Sequence, residues 1–447
     1  MITASERKFS RRDILRMTVA SAAIGPFFLF PDRAAANQKK LRVAKWAHFL
    51  PEYDDWFVHT LAKEWGKQND TQVTVDNIHV EKISKVASAE AAAGKGHDVF
   101  IFPWPPATYY KNLIDHTDVY HQIATKYGMV TKFGYKSTYH PQTKTFFAIC
   151  DSWIPLTFIY NLDYWMGKNG SGMLGPLHYN GLLAESARIR DNDGVPCGLS
   201  LTHTLESNVA LHSLLYSFHC IVVDQYGTLI LDKGARTGTA VNYVKALYNR
   251  AGSPDLLTWE SGGNVNAMLA RKASCTFNGI SLVRKAEQQN SALAEKLWVQ
   301  PPLKGRGGVG SIPHVTNCPA IWKFANNLEG AKRFVADLID HSKTAYEISQ
   351  GCNFPIYQKT VPNLIVRLHK DEHSIPSDKF ELLKDAGYWT KNIGVPAYST
   401  PAAMEIFTSY LIPRMFIAAV TGRMSTEDAV AAAGLEAQGI INKWNRG

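Results

Sequence analysis

Between residues 41 and 102 the chain alternates short β-prone apolar runs with longer segments of helical spacing, and this alternation restricts its fold more than any other feature. Residues 41–46 (LRVAKW), 71–78 (TQVTVDNI) and 97–102 (HDVFIF) read as strands. Between them, 54–68 places Trp56, Phe57, Leu61, Ala62 and Trp65 at helical spacing, and 80–93 is an Ala-rich helix ended by Gly94 and Gly96. A βαβαβ rhythm implies an α/β fold with a mainly parallel sheet flanked by helices, whose ligands bind beyond the carboxyl ends of the strands. The loops at 46–50 and 103–106 are therefore candidate site loops.

Residues 146–165 (FFAICDSWIPLTFIYNLDYW) read as a buried crossing between two lobes, followed by a helix start. The runs 146–150 and 155–160 are apolar and too short for amphipathic helices, so each is expected to be a strand covered on both faces. The polar break at Asp151, Ser152 and Trp153 is the expected hinge, because a few residues at element ends can absorb a domain rotation. Trp153 then either faces the opposite lobe or is a core aromatic.

Further along, 182–190 and 205–220 read as helices, 195–201 as strand-like, and 224–227 as a turn. Residues 240–249 and 265–269 are helical, and 273–277 is a strand ending at Asn278 and Gly279. Residues 296–302 make a second candidate crossing, 321–324 a short strand, 328–341 a helix, and the chain from 400 onward is helical. The glycine run at 305–310 lacks a Gly-Lys-Ser/Thr ending and no strong helix follows it, so it reads as a surface loop rather than a phosphate cradle.

At the N-terminus, Arg11 and Arg12 precede an apolar run over 17–30 and the small residues Ala34, Ala35 and Ala36. This resembles a twin-arginine export signal, which implies a periplasmic protein cleaved near Asn37. No later segment reads as a membrane span. Removing 1–36 takes away six basic and three acidic residues, so the formal charge falls from +9 to +6 over the remaining 411 residues. Such a length suits two lobes, each with its own core. So modest a charge, without a basic run, argues against a nucleic-acid partner. The six cysteines (Cys150, Cys197, Cys220, Cys275, Cys318, Cys352) show no CxxC and no zinc spacing. They read mostly as buried free thiols, though pairs could form in an oxidising compartment, with a connectivity that spacing does not reveal.

Taken in order, several segments resemble the family 1 extracellular solute-binding proteins of ABC importers, which include maltose-binding protein. They are the strand at His97, Asp98 and Val99, the crossing that ends at Asn161, the strand 273–279, the crossing at Pro301 and Pro302, the stretch 321–334, and 422–430. The resemblance implies a two-lobed periplasmic binding protein fold of class II type, with mainly parallel sheets flanked by helices and joined by hinge crossings. Lobe 1 would comprise 37–150 plus 300–345, and lobe 2 would comprise 151–299 plus 346–447. It also implies a monomer that clamps its ligand in the cleft and docks on the permease subunits of the inner membrane, without catalysis, cofactor or metal. By position Trp46, His48, Trp104 and Trp153 would face the cleft, with His203, Glu206, Asn278 and Tyr398 opposite them and Trp259 and Asn264 as further contacts. Indole faces suit the apolar C–H face of a pyranose, and Asn, Glu and His can pair with its hydroxyls, so a carbohydrate or polyol is the expected ligand.

Other readings stay open. A ferric-ion binder would use Tyr109 and Tyr110. A polyamine binder would surround the amine with aromatic rings and the carboxylates of Asp54, Asp55 and Glu206. A cofactor or metal chelate is a further possible cargo, and a periplasmic hydrolase or transferase is the alternative of another class. For the latter there is no GxSxG, no HExxH and no GxGxxG in context.

Overall fold

The computed structural model describes residues 39–167, 175–176, 178–305 and 310–446. The export-signal reading of 1–36 and the glycine positions 307 and 308 lie outside the described residues. Nine strands, in chain order, make the two principal sheets: β1 (Lys39–Trp46), β2 (Thr71–Ile78), β3 (Val99–Phe102), β4 (Ser152–Ile154), β5 (Leu156–Asn161), β6 (Cys275–Gly279), β7 (Leu297–Gln300), β8 (Val315–Ile321) and β9 (Phe354–Pro355). The first sheet has the order β9-β4-β8-β3-β1-β2 and the second β6-β5-β7.

The opening βαβαβ unit forms as its pattern predicts. β2 and β3 flank β1 in parallel, with Val43 opposite Val75 on one side and Val99 on the other. The first helical stretch starts earlier than Asp54, at Pro51, whose fixed φ and missing N–H suit a first helical position. It runs to Gln68 through a π-helical turn over Phe57–Leu61. Its apolar face packs on the helix Leu328–Asp340, where the rings of Phe57 and Trp65 meet Phe334 edge-on at 6.3 and 5.1 Å. The Trp65 indole also donates to Asp337 at 2.8 Å.

Beyond β3 the parallel order stops. Every junction along β3-β8-β4-β9 is antiparallel, and β5 is antiparallel to both of its neighbours. The expectation of mainly parallel sheets therefore holds only over β1, β2 and β3. The reason is connectivity. β1, β2 and β3 run toward the end where the two sheets meet, whereas β8 and β5 begin there and run away from it.

The turning point also differs from the expected one. Ser152 and Trp153 lie inside β4, with Trp153 paired to Thr316 on one side and Phe354 on the other. The chain changes sheet at Pro155, the single residue between β4 and β5. The first sheet thus includes 152–154 and 354–355, which fall outside the lobe ranges drawn from the sequence. The run 147–150 lies beside β8 without forming a regular strand, and 195–201 lies beside β6 in the same way.

β8 is the strand least visible in the sequence, because Thr316, Asn317 and Pro319 interrupt its apolar pattern. Pro319 is tolerated mid-sheet because its carbonyl, accepting the Ile149 N–H at 3.0 Å, points away from β3. Its missing N–H faces that same side, so the β3 ladder loses nothing. Residues 401–420, expected to be helical and not read as a membrane span, are long and apolar enough by composition to span a membrane. They form two helices instead, Pro401–Thr408 and Leu411–Val420, broken at Tyr410 in a left-handed conformation (φ 56°), and most of this stretch is buried in the protein.

Asp98, at the start of β3, joins three segments. One carboxylate oxygen accepts the Arg42 N–H of β1 at 2.8 Å, and the other accepts the N–H groups of Asn326 and Asn327 at 2.6 and 3.3 Å. At about 1 kcal/mol per bond, Asp98→Ala is expected to cost about 3 kcal/mol. A urea titration should show this as a lower midpoint with an unchanged slope.

Candidate functional site

A cavity of about 310 Å³ opens where the carboxyl ends of β1, β2 and β6 converge. From the first sheet come the loop after β1 (Ala47, His48, Phe49, Pro51) and the turn after β2 (His79, Val80). From the second come the first turns of the helix Leu205–Ser217 (Leu205, Glu206, Val209), the loop at Ser261 and Gly262, and the end of β6 with the helix after it (Phe277, Asn278, Ser281, Lys285). Leu156 and Val315, at the two crossings, also line it.

A buried ion pair sets the loop after β1. Lys45 is 2% exposed. Its ammonium is paired with the Asp54 carboxylate and donates to the Trp46 carbonyl at 3.0 Å, and the second Asp54 oxygen accepts the His48 N–H at 2.9 Å. The His48 ring is fixed in turn: Leu50 N–H donates to Nδ1 at 3.1 Å and Nε2 lies 3.1 Å from Asn353 Oδ1, so a neutral imidazole with its hydrogen on Nε2 satisfies both contacts. Burial, reinforced by the Lys45 charge, pushes the His48 pKa down to about 3. Behind this loop the Trp46 indole donates to Asn317 at 2.6 Å, Asn317 donates to the Ser152 hydroxyl at 2.7 Å, and Ser152 donates to Asp151 at 2.7 Å. Burial raises the Asp151 carboxyl to about 7.

On the opposite wall, Thr204 caps the helix that carries Glu206 by accepting the Ser207 N–H at 3.4 Å. Glu206 Oε1 accepts the Gly262 N–H at 3.1 Å and the Ser261 hydroxyl at 3.3 Å, while its Oε2 is buried with no partner. The Asn278 side-chain oxygen Oδ1 accepts the Gly279 N–H at 2.7 Å. Lys285, one turn beyond Ser281, brings an ammonium to the same wall. A carboxylate, a carboxamide, a neutral imidazole and an ammonium therefore share one cavity with the rings of Phe49 and Phe277. That lining can hold a small polar molecule with an apolar face.

Of the ten residues expected at the site, His48, Glu206 and Asn278 line this cavity, and the other seven lie elsewhere. Trp46, Trp104 and Trp153 are buried at 1%, 6% and 4% exposure. The Trp153 ring packs edge-on against Phe133 and Phe354 at 4.8 and 5.5 Å, and its N–H donates to the Pro355 carbonyl at 3.3 Å. These indoles are core because both faces of the first sheet are covered. Asn264 is turned to β6, donating to Thr276 at 3.1 Å and to the Phe277 carbonyl at 3.3 Å. Trp259 packs beside Gly263, two residues before the lining residue Ser261. His203 is exposed on a separate cavity beside Arg414 and Arg423, and Tyr398 sits with Tyr135 and Tyr139. Phe49 belongs to the loop 46–50 expected at the site, whereas Phe277 and Lys285 are not among the expected residues, although Phe277 adjoins Asn278 at a strand end and Ser281 and Lys285 share a helix face.

The side chains of the rival readings are placed as follows. Tyr109 stacks on Phe102 while Tyr110 stacks on His140, so the two phenols take different neighbours. Asp54 is engaged by Lys45 and Asp55 is solvent-exposed, which leaves Glu206 as the carboxylate on the cavity wall. A serine–histidine contact, Ser137 to His314 at 2.6 Å, is sealed in the core.

No protein-family model matches the chain, and neither does any curated protein sequence. Solved structures do match. T. maritima MalE3 with bound maltose superposes with a TM-score of 0.74 at 16% identity, covering 89% of this chain and 99% of that one. An ABC-transporter solute-binding protein from Thermotoga lettingae bound to α-D-tagatose gives 0.74 at 16% identity, covering 90% and 100%. Another, from Agrobacterium radiobacter bound to ribitol, gives 0.69 at 15% identity, covering 90% and 98%. The fold is that of the two-lobed periplasmic binding proteins. In those terms each principal sheet is the core of one lobe, and the 310 Å³ cavity lies between the lobes.

Protonation of this two-lobed fold has a definite sign. Burial pushes His48 and His314 down to about 3 and His116 and His212 to about 4. Below the unfolded value of about 6.5 the unfolded chain takes up protons that the fold refuses, so the stability these groups contribute is complete above pH 6.5 and is lost as pH falls toward 4. Asp151 acts oppositely: its raised pKa makes stability fall as pH rises from about 4 to 7. Four groups outweigh one, so the melting temperature is expected to drop between pH 7 and pH 4.5. Asp151→Asn should steepen that drop and raise the melting temperature at pH 8, as a calorimetric pH series would read.

Proposed function

We propose that this chain is the extracytoplasmic solute-binding component of an ABC importer, and that it takes a carbohydrate or polyol of small size into the cavity between its lobes. The observation that carries the reading is the cavity wall itself. Glu206, whose Oε2 is buried without a partner, lines one cavity with Asn278, His48 and Lys285 and with the rings of Phe49 and Phe277. Hydroxyls meet the polar groups while a C–H face lies on a ring. The volume of about 310 Å³ is at the low end of the roughly 300–1,000 Å³ common for small-molecule sites, which favours a mono- or disaccharide or a sugar alcohol over a longer chain. The maltose, tagatose and ribitol in the similar structures belong to the same chemical class.

The mechanism is closure. Ligand contacts both lobes only when the cleft is shut, and that difference in affinity between open and closed states is what moves the equilibrium. In the closed state the two lobes together present the docking surface for the permease, with the protein acting as a monomer and no chemistry done on the ligand. Release from the membrane side follows twin-arginine export and cleavage near Asn37.

A thermal-shift screen of the purified protein against sugars, polyols, polyamines, amino acids and metal chelates tests the ligand class. A ligand at about 100 times its dissociation constant adds about 2.7 kcal/mol of stability. Glu206→Gln keeps the oxygen that holds Gly262 while removing the charge, so it should weaken a sugar or polyol about 10- to 100-fold by calorimetry, in line with about 1.5–3 kcal/mol for a charged hydrogen bond, with little change in the unliganded melt. Hits confined to amines would move the ligand class to the Glu206 carboxylate alone, and a hit without ligand-dependent compaction in X-ray scattering would remove the closure mechanism. For export, the N-terminus of the extracytoplasmic protein should begin near Asn37, and Lys at both Arg11 and Arg12 should retain the precursor in the cytoplasm.

A further inference from the structure

The ligand site uses none of the six cysteines, yet the fold sets four of them side by side. Cys150 Sγ lies 3.4 Å from Cys318 Sγ, across 168 residues of chain, and Cys197 Sγ lies 3.6 Å from Cys275 Sγ, across 78. All four are buried.

The backbone around each pair is suited to a covalent link. The Asp151 N–H donates to the Asn317 carbonyl and the Ile149 N–H to the Pro319 carbonyl, both at 3.0 Å, so Cys150 and Cys318 stand directly opposite each other between two bonded pairs. Such a non-hydrogen-bonded antiparallel pair has a Cα separation of about 4.5 Å, within the range of about 4.4–6.8 Å that a disulfide spans. At the second pair the Gly198 N–H donates to the Cys275 carbonyl and the Ser274 N–H to the Pro196 carbonyl, both at 2.9 Å. Gly198 is required there, because a Cβ would stand 2.4 Å from the Cys275 carbonyl oxygen. A bond of about 2.05 Å requires the sulfurs to close from 3.4 and 3.6 Å.

We propose that Cys150–Cys318 and Cys197–Cys275 are oxidised to disulfides in the exported protein, one bracing the sheet of each lobe, an inference that rests on the extracytoplasmic location proposed above. The oxidant is the disulfide of an exported dithiol oxidase, which reaches the sulfurs only in the transiently opened chain, because all four are buried in the folded one. One cysteine thiolate attacks an oxidant sulfur, forming a mixed disulfide and expelling one oxidant thiolate. Its partner thiolate attacks the bound cysteine sulfur and expels the second. Each pair thereby loses two protons and two electrons, and the oxidant disulfide becomes a dithiol. Cys150 adjoins β4 and Cys318 lies in β8, so the first link would tie both crossing segments together; the second would anchor β6 two residues before the cavity residue Phe277.

The test uses the full chain with its own N-terminus, recovered from the extracytoplasmic fraction and denatured in an alkylating agent without reductant. The expected result is alkylation at Cys220 and Cys352 alone, a mass four hydrogens lighter than the reduced chain, and non-reduced peptides joining Cys150 to Cys318 and Cys197 to Cys275. Reductant should lower the melting temperature, and Cys150→Ser should expose Cys318 to alkylation. Six alkylated cysteines in the exported protein, or links between other pairs, would overturn the proposal. Purified chain refolded in a glutathione redox buffer separates the two readings: if the same two links form there while no protein reaches the extracytoplasmic fraction, the pairing stands and the location fails.

Discussion

Ile154 closes a strand of the first sheet and Leu156 opens a strand of the second, so Pro155 alone carries the chain from one lobe core to the other. This short passage constrains what surrounds it. β4 must end where β5 begins, and β8, which returns the chain, must start at the same level. Both therefore lie antiparallel to their neighbours, while β1, β2 and β3 keep the parallel order of a βαβαβ unit. The strand ends that converge on the passage leave loops and helix starts facing one another across it, and the cavity forms there.

Those loops are held by charge as well as by connectivity. The Lys45–Asp54 pair is buried beneath the loop after β1, where removing two charges from water costs several kcal/mol per ion unless every polar atom finds a partner. The Trp46 carbonyl, Asn77 and the His48 N–H supply those partners, and the rings of Tyr53 and Phe57 lie 5.3 and 5.4 Å from the ammonium. The pair is better understood as fixing the loop than as stabilising the fold. Breaking it would leave a lone charge in the core, so the loop has one arrangement, and His48 reaches the cavity in a single orientation and as a neutral ring. Glu206 has no such complement: one oxygen accepts from Gly262 and Ser261, and the other is buried without a partner.

Much of the fold was legible from periodicity. β2 and the helix Leu328–Asp340 fall within a residue of the segments read from the pattern, since their apolar positions face one neighbour at a regular repeat. β8 was not, because Asn317 and Pro319 look like loop residues until their partners, Trp46 and Ile149, are known to lie beside them. At the candidate site, strand ends and helix starts in an α/β sheet point at the cleft, and the structure brings His48, Glu206 and Asn278 to one cavity. The tryptophans lie elsewhere for the converse reason: Trp46 and Trp153 stand at strand ends or crossings in sequence, but an indole there turns inward where the sheet is covered on both faces.

The sequence by itself determined the α/β class, the crossing within 146–165 and the loops from which a cleft would be built, because strand length, helical spacing and turn residues are local properties, whereas the expected crossing at 296–302 is a strand inside the second sheet and the chain returns only at β8. Only the tertiary structure decided which side chains enter the cavity, which sulfurs meet, and which buried carboxyl and imidazole groups shift their protonation. Those outcomes depend on what lies opposite each residue across tens to hundreds of positions of chain, and burial and electrostatics take their size from that neighbour rather than from the residue alone.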